Sequence, residues 1–275
     1  MPPEARRGQV RAITSLQNER VKLVRSLEMR KVRRETGLFV AEGASVLITA
    51  RDAGWVPKIL VFLAGSAETG ANRALLAWAE AGGAECLEVS EAVLAKLAAK
   101  DNPQTMLAVF EQRWASAPDP STVGKDATWL ALEAVRDPGN LGTIIRTLDA
   151  VGAGGVMLVG NCVDPYAREA VRATMGSIFN VAVVRMAADS FLPWAATWHG
   201  DIVGTQLVAR EDFRKVPYRA PTLLLMGSEG PGLSPELATV CTRLVKIPMA
   251  GRLDSLNLAV ATALVLYEIR REQLH

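Results

Sequence analysis

Short, continuous apolar runs recur along the second half of the chain, separated by segments with helical spacing. Three of them read TWLALEAV, GVMLVG and TLLLMG and begin at residues 128, 155 and 222. Runs of this kind, rich in aliphatic side chains, are typical of strands buried on both faces. Strands that alternate with helices form parallel sheets, because each crossover helix returns the chain to the end of the sheet where the previous strand began. The second half is therefore predicted to be an α/β fold with a mostly parallel sheet and helices on both faces.

The same alternation predicts the other elements. Further strands are expected at FNVAVVRM, DIVGTQLV and RLVKIPM, and LNLAVATALVLYEIRREQL predicts a long final helix. In the first half, strands and helices alternate as far as Arg113 and predict a smaller α/β unit. Residues 115–126, ASAPDPSTVGKD, are rich in Pro, Ser, Gly and Asp and are expected to form a linker. We therefore expect one domain over residues 1–114 and another over residues 127–275.

Composition excludes several classes of protein. A chain of 275 residues with 49% hydrophobic content can bury a sizeable core, and no apolar run reaches the roughly 18 residues of a membrane span. The start, MPPEARRGQVRA, lacks the apolar core of a secretory signal, although its arginines leave an organellar presequence open. We expect a cytoplasmic protein with no membrane partner.

The cysteines and histidines also limit the chemistry. Cys86, Cys162 and Cys241 form no CxxC pair, and the only histidines are His199 and His275. No metal site, disulfide framework or Ser-His-Asp triad is expected from such a set. Any catalysis must use other groups.

Positive charge is concentrated at the start of the chain. Residues 1–40 hold ten Lys/Arg against four Asp/Glu, whereas the other 235 residues carry 21 against 25. The stretch RVKLVRSLEMRKVRR predicts one helix over residues 20–34, with Val21, Val24 and Leu27 as an apolar seam. Its basic residues either bind RNA phosphates or form a solvated helix face. The candidates for RNA binding are Arg20, Lys22, Arg30, Lys31, Arg33 and Arg34.

Three polar loops follow predicted strands. They read DPGNLGTIIR from residue 137, MGSEGPGLS from residue 226 and IPMAGRLDSLN from residue 247. Ligands of open α/β sheets collect at the carboxyl ends of strands, so the three loops could converge on one pocket. The glycine-rich loop fits neither a P-loop nor a dinucleotide fingerprint, and Glu229 argues against a bound polyphosphate. A simple strand-to-helix turn remains the alternative interpretation of its glycines.

Together, in this order and spacing, the three loops closely resemble the motifs of the SpoU/TrmH family of SAM-dependent RNA 2′-O-ribose methyltransferases, within the SPOUT class. The resemblance covers about residues 128 to 273. Upstream, ITSLQNERVKLVRSL and GLFVAEGASVL resemble the ribosomal-protein-like substrate-binding domain of rRNA-modifying members over a shorter stretch. The matching motif residues are Asn140, Gly142 and Arg146 in the first loop, Gly227, Glu229, Gly230 and Gly232 in the second, and Ile247, Pro248, Met249, Ser255, Leu256 and Asn257 in the third.

The resemblance implies a fold and a site. The C-terminal domain would be tied in a deep trefoil knot, bind S-adenosyl-L-methionine (SAM) in a bent conformation and release S-adenosyl-L-homocysteine, with no metal. A homodimer would form through the knot region and the C-terminal helix. The implied catalytic residues are Arg146, Asn140, Glu229, Ser255 and Asn257. The implied cofactor-binding residues are Thr205, Leu225, Met226, Gly227, Ser228, Gly230, Ile247, Pro248, Met249 and Leu256.

Several roles stay open at this point. Asn140 could be a turn residue before a helix, and Asn257 could be an N-terminal helix residue. Arg146 is a poor candidate for a base because a guanidinium stays protonated to above about pH 12. It could instead hold the target phosphate or stabilise a developing alkoxide.

The resemblance implies methyl transfer to a ribose 2′-OH of structured RNA, and the N-terminal domain favours 23S-type rRNA. A tRNA methyltransferase and an rRNA methyltransferase that confers antibiotic resistance remain alternatives. A non-catalytic RNA-binding or ribosome-assembly protein is the alternative from another class, which the full set of motif residues disfavours. A nucleotide hydrolase is disfavoured by the missing Walker lysine.

Overall fold

The structure, a computed structural model, describes residues 10–98, 104–229 and 232–274. The chain packs into two units. The first runs to Gln112 and also contains Tyr166–Phe179, and the second comprises Arg113–Pro165 and the residues from Asn180 onward.

The helices and strands alternate along the chain in both units. Up to Gln112 they are β1 (Arg11–Ile13), α1 (Glu19–Ser26), α2 (Arg30–Thr36), β2 (Leu38–Glu42), α3 (Ala44–Asp52), β3 (Ile59–Leu63), α4 (Gly70–Ala81), β4 (Glu85–Val89), α5 (Glu91–Leu97) and β5 (Met106–Glu111). From there on they are β6 (Thr128–Glu133), α6 (Pro138–Ala150), β7 (Gly155–Val159), α7 (Arg168–Ala173), β8 (Ala182–Met186), α8 (Ala188–Ala195), β9 (Ile202–Thr205), β10 (Glu211–Asp212), β11 (Thr222–Met226), α9 (Pro235–Ala238), β12 (Arg243–Lys246) and α10 (Leu258–Ile269).

A five-stranded sheet forms the centre of the first unit, in the order β1-β4-β3-β5-β2. Strand β5 runs antiparallel to both of its neighbours, and the other pairs are parallel. Val21, Val24 and Leu27 are fully buried in its core, as the predicted apolar seam requires. Helix α7 packs on β2 in this unit, although it follows β7 in sequence. The predicted smaller α/β unit is confirmed.

The single helix predicted over residues 20–34 is wrong. The structure has two helices, α1 and α2, which are separated by a turn at residues 27–29. Arg33 stabilises that turn, because its Nη1 donates hydrogen bonds to the carbonyl oxygens of Leu27 at 2.8 Å and Glu28 at 2.7 Å. These carbonyls at the end of α1 would otherwise lack helical partners. The guanidinium of Arg33 therefore stabilises the turn between α1 and α2.

The second unit is built on a seven-stranded sheet in the order β10-β12-β9-β11-β6-β7-β8. Every pair of neighbouring strands is parallel. One face of the sheet packs against α8 through Phe191 and Ala195. Helices α6 and α10 contact strands β7 and β11 and each other. The predicted parallel α/β fold is confirmed, while the trefoil knot stays a prediction.

Two segments differ from the sequence-based expectation. The stretch DPGNLG, expected to be a loop, lies mostly in the first turn of α6, which begins at Pro138. Proline suits this position because its missing N–H group has no helical partner there. The expected linker, residues 115–126, is held in the second unit, where Ala115 N donates to Val183 O at 2.9 Å. No helix among residues 10–98, 104–229 and 232–274 has the length and apolar character needed to cross a bilayer.

Candidate active site

A cavity of about 1110 Å³ lies in the second unit, at the ends of strands β11, β12 and β9. The three predicted loops converge on it, as expected for the carboxyl edge of a parallel sheet. Four of the predicted catalytic residues line it, namely Asn140, Glu229, Ser255 and Asn257. Seven of the predicted cofactor-binding residues also line it, namely Thr205, Met226, Gly227, Ser228, Ile247, Met249 and Leu256.

Side-chain hydrogen bonds join the three loops. Asn257 Nδ2 donates to Asn140 Oδ1 at 2.9 Å, and Asn140 Nδ2 donates to Glu229 Oε1. These residues come from three loops that are far apart in sequence, so the network fixes the relative positions of the loops. Asn140 is at its centre, since its amide both accepts and donates.

Both asparagines also occupy helix termini. The backbone N–H of Asn140 donates to Asp137 Oδ1 at 2.6 Å, which caps α6. Asn257 caps α10, because its Oδ1 accepts from the N–H groups of Ala259 at 2.9 Å and Val260 at 3.3 Å. The amide of Asn257 thus uses its oxygen for the helix and its nitrogen for the site. The helix-capping interpretation and the functional one are compatible here.

The conformation of the second loop itself requires glycine at two positions. Ser228 and Gly232 exchange backbone hydrogen bonds of 3.1 and 3.0 Å, and Gly232 has a positive φ of 75°. A Cβ atom on Gly227 would overlap the backbone of Gly232 and Leu233. Gly227 is therefore required by the close approach of the loop to itself. Gly230, also predicted to bind the cofactor, lies outside the described residues.

Three predicted residues do not line the cavity. Leu225 is fully buried in β11, where its side chain points to the opposite face from Met226. Pro248 is exposed beside the cavity. Arg146 is exposed on α6, roughly a third of a turn away from Asn140 around the helix. The structure does not bring Arg146 to the cavity.

Charged lining residues were missed by the sequence analysis. Asp137, Lys246 and Asp254 line the cavity together with Glu229, so three carboxylates stand against one ammonium group. The surplus of negative charge favours a cationic ligand. Asp137 and Asp254 belong to two of the quoted loops and Lys246 directly precedes the third, and this position was their signal in the sequence.

The cysteines provide no nucleophile. Burial raises the pKa of the Cys241 thiol to about 12 and, with nearby Glu80 and Glu85, that of Cys86 to about 11. Burial also raises the pKa of Cys162. Thiols of this kind are protonated at neutral pH and react slowly. Among the residues that the structure describes, no group of three His, Cys, Asp or Glu side chains is placed to hold a metal.

The predicted RNA-binding residues of the first unit fall into different environments. Arg20 forms an ion pair of 2.7 Å with Glu85, and Lys22 one of 2.9 Å with Glu19. Lys31 is 3.9 Å from Glu35, while Arg30 and Arg34 are exposed. Arg33 is only 4% exposed, so a phosphate cannot reach it without unfolding the turn. The prediction that Arg33 binds RNA is therefore wrong, because the fold buries this side chain and uses its donors in the turn.

Known proteins resemble the chain over nearly its whole length. Residues 127–267 match the SpoU rRNA Methylase family, and residues 18–108 match the MRM3-like substrate binding domain. The structure of an AdoMet-bound rRNA methyltransferase from Sinorhizobium meliloti is 44% identical, with a TM-score of 0.89 over 98% of this chain and 100% of that one.

Two relatives with assigned names are also similar to most of the chain. A 23S rRNA guanosine 2′-O-methyltransferase of Bacillus subtilis (strain 168) is 30% identical over 95% of this chain and 100% of its own. A 23S rRNA uridine 2′-O-methyltransferase of Streptomyces viridochromogenes is 32% identical over 89% of this chain and 86% of its own. The similarity to these rRNA methyltransferases therefore extends over both the N-terminal and the C-terminal half of the chain. It confirms the resemblance found from the motifs. The chain is a member of the SpoU rRNA methylase family.

Proposed function

We propose that this protein transfers the methyl group of SAM to a ribose 2′-OH of ribosomal RNA. The observation that carries the proposal is the cavity in which three family motifs meet, joined through Asn257, Asn140 and Glu229. The relatives named as 23S rRNA 2′-O-methyltransferases and the substrate-binding domain at residues 18–108 favour rRNA as the substrate. The proposed place of action is the cytoplasm.

The cavity fits SAM in size and in chemistry. Its volume of about 1110 Å³ is slightly larger than that of most small-molecule sites, which span about 300 to 1,000 Å³, so a ligand of the size of SAM has room. Apolar side chains of Met226, Ile247 and Leu256 offer a surface for a nucleobase, and the surplus of carboxylates suits a sulfonium and an ammonium group. When bound, SAM supplies an electrophilic methyl group on sulfur. The residues proposed to hold it are the lining residues already named and Gly230, and its product is S-adenosyl-L-homocysteine.

The side chains of the site orient and polarise the RNA. Ser255 and Asn257 are exposed at the cavity and can hydrogen-bond the hydroxyls of a ribose. Glu229 orients Asn140, and through it Asn257. Arg146 is proposed to hold the phosphate next to the target ribose or to stabilise the developing alkoxide.

A homodimer is part of the proposal. On α10, Val260, Leu264 and Tyr267 are 50%, 41% and 50% exposed and recur at helical spacing on one side of the helix. An exposed apolar face of this kind marks an interaction surface. A second protomer on this face would cover it and give Arg146, which lies outside its own cavity, a route to the partner's cavity.

Methyl transfer can be tested with purified components. Radiolabelled SAM and rRNA from a strain that lacks the gene should yield labelled rRNA, with the label on the ribose after nuclease digestion. Calorimetry should detect binding of SAM and none of ATP. Binding of ATP without SAM, or label on a base, would refute the proposal.

A further inference from the structure

A carboxylate outside the cavity binds the end of the glycine-rich loop. Glu133 is the last residue of strand β6, and its Oε2 accepts a hydrogen bond of 2.8 Å from the backbone N–H of Ser234. Gly232 and Leu233, which directly precede Ser234, line the cavity, whereas Glu133 is not among the described residues that line it. Glu133 can therefore affect a ligand of the cavity only through the loop.

The sequence around Ser234 cannot supply this partner. Ser234 is the N-cap residue of α9, and its Oγ accepts from the N–H of Leu237 at 3.2 Å. In a capping box, a Glu or Gln at that third helical position would accept in return from the N–H of the cap residue. A leucine side chain has no acceptor, so Glu133 takes this role from a strand that is distant in sequence. The bond ties the end of the loop to the sheet.

The backbone at Glu133 is fixed by its neighbours. Strand β6 pairs in parallel with β11 on one side and β7 on the other, and Glu133 lies opposite Val159 of β7. The next residue, Ala134, has a positive φ of 50°, a conformation that is uncommon outside glycine. Such a conformation persists only where the surrounding structure determines it. A side chain on a strand fixed in this way is suited to set the position of a loop.

The loop is anchored at two points by side chains from different parts of the unit. Asn140, on α6, donates to Glu229 near the beginning of the loop. Side chains alternate along β6, so Glu133 lies on the same face as Ala131, which belongs with Leu233 to the apolar cluster that packs against α8. The described part of the loop, residues 227–229 and 232–234, is therefore anchored near its beginning from the side of α6 and at its end from the side of α8.

We propose that Glu133 is a positioning residue for the cofactor, which keeps the glycine-rich loop in its binding conformation before SAM arrives. The proposal rests on the proposed function, since it takes SAM as the ligand of the cavity. A loop that is ordered in advance loses less conformational entropy on binding, so its ligand binds more tightly. Without the bond to Glu133, SAM would have to order Gly232 and Leu233 at the expense of its own affinity.

Calorimetry with SAM on full-length variants measures the effect. Glu133→Ala removes the acceptor and should weaken SAM binding about tenfold, as for the loss of a hydrogen bond to a charged group. Glu133→Gln keeps an acceptor oxygen at the same reach and should stay within about threefold of the parent. Glu236→Ala is the matched control, because Glu236 is exposed on α9 and forms no ion pair within the described residues. It removes the same charge close to the loop and should leave SAM affinity unchanged.

Two further readouts separate positioning from a general loss of folding. In Glu133→Ala the KM for SAM should rise about tenfold, while kcat at saturating SAM stays within about threefold of the parent. Deuterium uptake by the peptide that contains residues 227–234 should increase in Glu133→Ala but not in Glu133→Gln. A partly unfolded protein would instead show fewer SAM sites per chain at parental affinity, and faster uptake throughout.

The possible outcomes separate the role of Glu133 from the proposed function. Parental SAM affinity in Glu133→Ala, when the parent binds SAM and methylates rRNA, would overturn the role and leave the function standing. Equal losses in Glu133→Ala and in Glu133→Gln or Glu236→Ala would overturn it as well, because the bond to Ser234 would then not be the cause. If Glu133→Ala fails to fold, Glu133→Asp decides by the same criteria, because it keeps the charge but is one methylene too short. A parent that binds SAM but never methylates rRNA would refute the function, while a loss of SAM affinity confined to the variants without the bond would still support the role of Glu133.

Discussion

Asn257 Nδ2 donates a hydrogen bond of 2.9 Å to Asn140 Oδ1, while Asn257 Oδ1 caps helix α10. One amide thus couples the start of the apolar C-terminal helix to the start of α6. The same helix carries the exposed apolar face proposed for dimerisation. The coupling gives a physical reason for the site and the proposed dimer contact to depend on each other.

Asn257→Asp separates the two roles of this residue. Aspartate keeps the oxygen that caps α10, so thermal stability should stay within about 0.5 kcal/mol of the parent. It lacks the amide donor and places a carboxylate against the oxygen of Asn140, so methyl transfer should fall at least about tenfold, as for loss of a hydrogen bond. Asn257→Ala is the comparison, since it removes the cap as well and should cost about 1 kcal/mol of stability. A transfer rate of Asn257→Asp within threefold of the parent would reject the coupling.

Gly227→Ala should damage both the loop and the cofactor site. The added Cβ overlaps the backbone of Gly232 and Leu233, so we expect a loss of about 1 to 3 kcal/mol in unfolding free energy and much weaker SAM binding. Gly251→Ala is the control, because a Cβ there meets no atom within 4 Å. Calorimetry and thermal unfolding measure the two effects. If Gly227→Ala bound SAM as tightly as Gly251→Ala, the steric account of this loop would be wrong.

Arg146 is expected to act on the reaction without affecting SAM binding. Arg146→Ala should keep SAM affinity, because Arg146 does not line the cavity, and should slow methyl transfer about 10² to 10³-fold. Arg146→Lys should recover little of the rate if a paired-donor geometry is needed. Single-turnover rates at saturating RNA and SAM measure this step. A rate of Arg146→Ala within threefold of the parent would remove it from the catalytic residues.

Arg33 and Arg34 are neighbours, but we expect one to affect the stability of the fold and the other to affect RNA binding. Arg33→Gln should destabilise the fold by about 1 to 3 kcal/mol, because it leaves carbonyls at the turn between α1 and α2 without their donor. Arg34→Gln should leave stability unchanged and lower the salt dependence of RNA binding, because Arg34 is exposed. Denaturant unfolding and RNA titrations check the pair. Equal stability of the two variants would contradict the structural role of Arg33.

The sequence predicted those strands and helices whose burial produces a regular pattern of apolar residues. The apolar runs of β6, β7 and β11 were found because both faces of these strands are covered. Strand β10 was missed, because it has only two residues and depends on pairing with β12. The break between α1 and α2 was missed because hydrophobic spacing continues across it, and only the side chain of Arg33 reveals the turn.

The candidate site was predicted from motif residues, and the geometry of the strands and loops decides which of them line the cavity. Asn140, Glu229 and Asn257 were identified, but their hydrogen bonds depend on how three loops meet in space. Leu225 does not line the cavity, because the alternation of side chains along β11 turns its side chain to the other face, and its role in cofactor binding stays a prediction. The packing of α7 in the first unit could not be predicted either, since nothing in its sequence indicates which sheet it covers.

The most direct test of the central claim is a map of ribose methylation over all rRNA positions, in the parent strain and in one that lacks the gene. We expect one or a few 2′-O-methyl positions in 23S-type rRNA to disappear with the gene. They should return on expression of the parent protein but not of Arg146→Ala. Identical ribose methylation maps of rRNA with and without the gene would contradict the proposed function.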